Sequence, residues 1–118
     1  IIIHDGETIL DVNTATVKAA RAKTKNELIG KEVSVLVHPD DLAKAKSRME
    51  QMLKDFKPVE TTEFRIITFN GDEIVTLATP APIIFKGKPA FMVTYHDITN
   101  RKKAEQAILE KERQFYTV

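Results

Sequence analysis

Three histidines in 118 residues lie close to carboxylates: His4 beside Asp5, His38 two and three positions before Asp40 and Asp41, and His96 beside Asp97. Imidazole and carboxylate together can ligate a divalent cation or share a proton, but a metal centre needs three or four ligands that converge. The hydrophobic pattern scatters these pairs to different edges, and the acids after His38 complement the positive end of a helix dipole. No metal site is predicted. The chain has no cysteine, which excludes a thiol nucleophile, a thiolate metal site, a disulfide and a cysteinyl cofactor adduct. There is no glycine-rich phosphate loop, no Ser-His-acid set with its nucleophile turn and no pair of carboxylates placed for acid–base work. No catalytic residue is predicted, and the chain is expected not to be an enzyme.

Composition narrows the remaining classes. Apolar residues make up 42% and charged residues 30%, the balance of one globular domain. Eighteen basic against 17 acidic side chains leave a net charge of +1, which removes the electrostatic argument for a nucleic-acid or anionic-membrane surface. No apolar run approaches the ~20 residues that span a bilayer, so no direct membrane contact is expected. The chain starts at Ile1 without a methionine and stops inside a charged helical pattern. It is therefore expected to be a piece of a longer protein.

The elements that must position any site follow from periodicity. Ile1-Ile2-Ile3 and Thr8 to Val12 flank Asp5-Gly6, a hairpin signal. Asn13 is a good N-cap for a short helix through Ala15, Val17, Ala19 and Ala20. Thr24-Lys25-Asn26-Glu27 fits a capping box for a second short helix that ends at Gly30. His38-Pro39-Asp40-Asp41 starts a longer helix, on which Leu42, Ala45, Met49, Met52, Leu53 and Phe56 form one apolar stripe. The second half alternates with period two: Thr61 to Phe69 and Glu73 to Thr79 flank Asn70-Gly71, and Ala90 to His96 follows a turn at Lys86 to Pro89. The order predicts an α+β fold with an antiparallel sheet. From Thr99 the chain is rich in helix formers. Ala104, Ile108 and Phe115 approach heptad spacing with Lys111 on the seam, over barely two heptads.

Alternation places Phe64, Ile66, Thr68, Ile74, Thr76, Ala78, Phe91, Val93 and Tyr95 on the inner face of the sheet. Met49, Met52, Leu53 and Phe56 face them from the helix, together with Val33, Val35 and Leu36 from the segment before it. Apolar walls with a few hydroxyls suit a small-ligand cleft and equally a filled core. The expected pocket residues are Met49, Met52, Leu53, Phe56, Phe64, Ile66, Thr76, Phe91 and Tyr95. On the outer face, Arg65, Ile67, Phe69 and Met92 offer a surface to a partner.

The Asp5-Gly6 turn with Leu10-Asp11-Val12-Asn13, the Glu27-Leu28-Ile29-Gly30 helix end, Val37-His38-Pro39-Asp40-Asp41, Glu63-Phe64-Arg65 leading to Asn70-Gly71, and Asp97-Ile98-Thr99-Asn100-Arg101-Lys102-Lys103-Ala104-Glu105 occur in the order found in PAS domains. Over residues 1 to 99 the chain resembles that family, most specifically in the last stretch. The resemblance implies a five-stranded antiparallel sheet with short helices on one face, a PAS core over 1–98 and a C-terminal linker helix over 99–118. It also implies a cytoplasmic module that senses a small molecule, light, redox state or a partner. Such a module signals through its last helix to an output domain such as a histidine kinase or diguanylate cyclase. Asp97, Ile98 and Thr99 would then couple core to helix. The expected partners are a small molecule, a second copy bound through the sheet face or terminal helix, and a neighbouring PAS or output domain. Glu112-Arg113-Gln114-Phe115 looks like the lead-in to another PAS repeat.

Cofactor expectations follow from the same resemblance. Flavin-adduct versions of the fold use a helix cysteine and inner-face amides, and here the matching strand positions are Ile66, Thr76 and Tyr95. Haem needs an axial ligand on the pocket side of the long helix. None of the three histidines lies on that stripe, and Met49 and Met52 read as core fillers. Neither flavin, haem nor another tightly bound cofactor is expected. His96-Asp97-Ile98-Thr99-Asn100 superficially resembles a histidine-kinase phosphoacceptor box, but that box lies in a helix, and Phe91 to Tyr95 predict a strand. The alternative to a sensor is a ligand-free dimerisation spacer.

Overall fold

The computed structural model describes the backbone of residues 1–116 and the side chains of residues 1–113. The triple isoleucine and the Ile9–Val12 run form strands β1 (Ile2–His4) and β2 (Ile9–Val12) across the Asp5-Gly6 turn. Gly6 takes a φ of +100° there, and the Asp5 carboxylate accepts from the Glu7 and Thr8 N–H groups at 2.9 and 2.7 Å. Asn13 caps helix α1 (Thr14–Ala19) by accepting from the Thr16 N–H at 3.0 Å. Three single-turn 3₁₀ segments follow, at Lys25–Glu27, Val33–Leu36 and Pro39–Asp41. Helix α2 (Leu42–Asp55) leads into β3 (Thr62–Ile67), β4 (Glu73–Phe85), β5 (Lys88–Asp97) and helix α3 (Thr99–Tyr116).

All five strands form one antiparallel sheet in the order β2-β1-β5-β4-β3, so the chain's first strand lies beside its last. Ile2, Ile9, Val12, Val17, Leu28, Leu36, Phe64, Ile66, Ile74 and Val93 are among the residues that build a continuous core on the face covered by α1, α2 and the connecting turns. Every inner-face strand residue expected from alternation is buried except Tyr95, which is half-buried. The α+β class and the antiparallel sheet are as expected.

Several details differ from the sequence expectation. The Thr24 capping box does not form. Its hydroxyl makes no cap bond, and Glu27 reaches one residue further back, to the Lys23 N–H at 3.1 Å, because the segment winds as a 3₁₀ turn. Strand β4 runs to Phe85 rather than ending at Thr79, straight through Pro80 and Pro82. Prolines fit because β3 accompanies β4 only as far as Ala78, so beyond it one side of β4 is a free edge that needs no N–H donor. The turn to β5 is the two residues Lys86 and Gly87, both at positive φ, as a type I′ hairpin requires. Strand β3 is shorter than expected, and Phe69 beyond it is exposed. Ile108 and Leu109 of α3 are exposed, while the Gln114 and Phe115 side chains, part of the heptad and repeat expectations, lie outside the described residues.

Candidate functional site

A cavity of about 60 Å³ lies between α2 and the sheet. Ala45, Arg48, Met49 and Met52 reach it from α2 because spacings of three and four put them on one helix face. Phe64, Ala78, Pro80, Val93 and Tyr95 reach it from alternate positions of β3, β4 and β5, and Val33 and Val37 close one side. A second cavity of about 80 Å³ adjoins α1 and includes Leu36, Ile66, Ile74 and Thr76 in its lining. Val33, Val37 and Tyr95 line both, so Tyr95 stands in the partition.

Of the expected pocket residues, Met49, Met52, Phe64 and Tyr95 line the first cavity and Ile66 and Thr76 the second. Phe91 is buried but lines neither; its ring lies 5.4 Å from that of His4. Leu53 and Phe56 face solvent, at 56% and 47% exposure. Leu53 sits about 100° round the helix from buried Met52. Phe56 ends α2 in the left-handed conformation, φ +49°, which takes it off the helix face. Val35 is likewise exposed, whereas its neighbours Val33 and Leu36 are buried.

His4, Arg48 and Pro80 were absent from the expected lining. His4 shares its parity on β1 with buried Ile2, so alternation alone contained the signal. Its Nδ1 accepts from the Gly6 N–H at 3.0 Å, which leaves the proton of a neutral ring on Nε2. Burial holds its pKa at about 4, against a weaker opposing pull from Asp5, so the ring is neutral near pH 7. Burial also pushes the Tyr95 hydroxyl up to about 12. The Arg48 guanidinium donates to the Glu60 carbonyl, and partial burial lowers its pKa.

The exit from the core is a hydrogen-bonded clamp. Asp97 accepts from the Thr99 N–H at 2.9 Å and hydroxyl at 2.6 Å; the Thr99 oxygen accepts from the Val75 N–H at 3.0 Å. The Ile98 N–H donates to the Val75 carbonyl at 2.8 Å, and the Ile98 side chain is buried. Both backbone polar groups of Val75 are thereby committed to the start of α3. Across the sheet Val75 pairs with Arg65, whose N–H donates to Asp41 at 2.8 Å and whose guanidinium grips the same carboxylate at 2.9 and 3.2 Å. Those bonds hold Asp41 down at a pKa of about 2. Next to Arg65, Glu63 takes Lys102 of α3 on its carboxylate at 2.8 Å and Lys44 of α2 on its carbonyl. The start of α2 is thus bonded to Glu63 and Arg65 of β3, and the start of α3 to the same Glu63 and to Val75 of β4, the cross-strand partner of Arg65.

The other histidines lie elsewhere. His38 caps the Pro39–Asp41 turn, accepting from the Asp40 N–H at 3.1 Å, and its Nε2 lies 3.2 Å from Glu73. His96 is exposed on β5, a strand rather than the helix of a phosphoacceptor box. Among the described residues no three His, Asp or Glu side chains converge as a metal set.

Residues 1–100 match the family described as PAS domain. The chain belongs to the PAS family. The match ends at the second residue of α3, just past the Asp97-Ile98-Thr99 clamp of this PAS domain. Sporulation kinase A of Bacillus subtilis strain 168 is 29% identical over 112 residues, 95% of this chain but 18% of that kinase. The PAS domain of a Colwellia psychrerythraea protein superposes with a TM-score of 0.70 at 20% identity, covering 85% of each chain. A Rhodobacter sphaeroides LOV protein superposes at 0.69 with 16% identity, covering 91% of this PAS chain and 63% of the other. Likeness at such identities shows the fold, here the five-stranded PAS sheet. No helix among the described residues is long and apolar enough to cross a membrane.

Proposed function

We propose that this PAS domain is a cytoplasmic signal-relay module that binds a small molecule in its core and passes the change through α3 to an output domain. A histidine kinase is the favoured output, since the relative that covers 95% of the chain is a kinase; a diguanylate cyclase is the other class considered. The division into a core over 1–98 and a linker helix over 99–118 belongs to the same reading. The observation that carries it is the pairing of Val75 with both α3 and Arg65. A shift of the inner sheet around the cavity displaces the residue that holds the exit helix. A ligand drives such a shift only if it binds the two arrangements with different affinity.

No tightly held flavin, haem or metal is part of this reading: there is no cysteine for a flavin adduct, and Ile66, Thr76 and Tyr95 occupy the inner-face positions. Native mass spectrometry of the purified chain, with an absorbance spectrum of the same sample, tests it. A reproducible added mass released on denaturation supports the sensor. The alternative, a ligand-free dimerisation spacer, draws support from exposed Ile108 and Leu109 on α3 and from half-buried Ile67, Leu77 and Met92 on the outer sheet face. It is favoured by a bare mass of twice 13.3 kDa that collapses to one chain when residues 99–118 are removed.

A further inference from the structure

From Ile74 to Phe85 no side chain carries a charge, and eight of the twelve residues are Ile, Val, Leu, Phe or Ala. Such a run pairs readily with a copy of itself wherever its backbone groups are free. Strand β4 leaves some of them free. Strand β3 stops opposite Ala78, whereas β5 accompanies β4 to Phe85. Past the Thr61–Thr79 hydroxyl bond of 2.8 Å, residues 80–85 pair with a strand on one side alone among the described residues, and Ile84 is 61% exposed. The two outermost strands are covered instead. Ile9 of β2 donates to the Lys31 carbonyl and accepts from the Gly30 N–H, while Arg65 of β3 donates to Asp41 and accepts from the His38 N–H.

Backbone polar groups alternate in direction along a strand. Val75 turns its N–H to Thr99 and its carbonyl to Ile98, both on the side of β5. The register with β5 is unbroken from Thr76 to Phe85, so the odd-numbered residues face β5 and Pro80, Pro82 and Ile84 face the open side. Two of those three residues have no N–H. A strand laid along this edge meets no donor opposite Pro80 or Pro82, and its own carbonyls there are buried without partners. We propose that Pro80 and Pro82 close the free edge of β4 to strand addition and so keep the sheet from pairing edge to edge with a second copy of this chain. The proposal concerns the edge alone, not the sheet face or α3, and it stands apart from the sensor reading.

The test compares the purified chain with its Pro80→Val/Pro82→Thr variant across one concentration series, by light scattering and amide hydrogen exchange. The variant is expected to reach roughly twice the mass of the unaltered chain, as an isologous pair of edges requires. Its amides at positions 80, 82 and 84 should exchange slowly when concentrated and quickly when diluted. Adding Ile84→Lys to the double variant should restore the original mass, because a lysine on an open edge opposes pairing. A dispersed NMR spectrum of that triple variant shows that the two proline substitutions do not act by unfolding the domain. Should the double variant fail to fold, Pro82→Thr alone, at a half-buried position, carries the same expectation for amides 82 and 84. The proposal is overturned if the folded variant keeps the mass of the unaltered chain with those amides exchanging freely. Association that leaves the three amides unprotected overturns it equally, since the contact then lies on another surface.

Discussion

His4 and Asp41 make opposite electrostatic choices with the same consequence in acid. The buried imidazole is neutral in the fold with a pKa of about 4, against 6.5 when exposed. As pH falls below 6.5 the unfolded chain takes up a proton that the folded chain refuses, so stability is lost between pH 6.5 and 4 and the loss is complete below 4. The difference corresponds to roughly 3 kcal/mol, which a series of urea denaturations should resolve. His4→Gln should flatten that window; an unchanged slope would mean that His4 is solvated in solution. Asp41 is depressed from 3.8 to about 2 by its bonds to Arg65, so its contribution is present above pH 3.8 and disappears as pH falls through 2. Asp5 and Asp97, also depressed, add to that lower window. Asp41→Ala is expected to cost about 1–3 kcal/mol, mostly through the orphaned Arg65 N–H, since the Arg65 side chain is 38% exposed and screened. A loss below 0.5 kcal/mol by urea denaturation would show that water replaces the carboxylate.

Helix α3, unlike the elements that cover the core face, is joined to the sheet by a few bonds rather than by broad packing. Helix α3 meets the sheet chiefly where Thr99 and Ile98 bond Val75 and where Lys102 meets Glu63. Thr99→Val should cost about 1–2 kcal/mol and lower the hydrogen-exchange protection of the Val75 and Ile98 amides, with the Ile74 amide little changed. Equal loss of protection across β4 would argue instead for general destabilisation. At the other end of the fold, Phe56 occupies a left-handed position that suits glycine or asparagine. Phe56→Asn should change stability by no more than about 0.5 kcal/mol in a thermal melt, because relief of backbone strain offsets the half-exposed ring. It should also leave binding at the cavity untouched. A loss above 2 kcal/mol would return Phe56 to the core.

At the scale of the whole molecule, extents of 62 × 35 × 20 Å describe a compact sheet-and-helix body with α3 as a projecting rod. The 18-residue α3 is about 27 Å long. A tilt at its clamped end is carried along that length to whatever follows. Because the first cavity and the clamp share β4, the Thr99→Val chain is expected to keep its affinity for xenon, an apolar probe of that cavity, within about three-fold while its α3 amides stop responding to it. Such uncoupling, read in an amide NMR titration, separates a relay from a passive cap. An α3 response that survives the substitution would place the coupling elsewhere.

Much of this was legible in the residues themselves. Local chemistry acts over a few positions, so the Asp5-Gly6 and Asn70-Gly71 turns, the Asn13 cap, the alternating inner face from Phe64 to Tyr95 and the Asp97-Ile98-Thr99 exit follow from sequence. What only the tertiary structure decided depends on where elements stop and how they lie. Helical spacing put Leu53 and Phe56 on the apolar stripe of Met49 and Met52, but α2 presents only part of that stripe to the sheet. Pro80 and Pro82 looked like the end of a strand until β3 was seen to stop short beside them. His4 came to line the cavity and Asp41 to bridge to Arg65 because β1 pairs with β5 and the start of α2 meets β3, contacts across 87 and 24 residues that no local pattern encodes. Which side chains point inward is a property of strand parity. How much space remains between them is a property of packing.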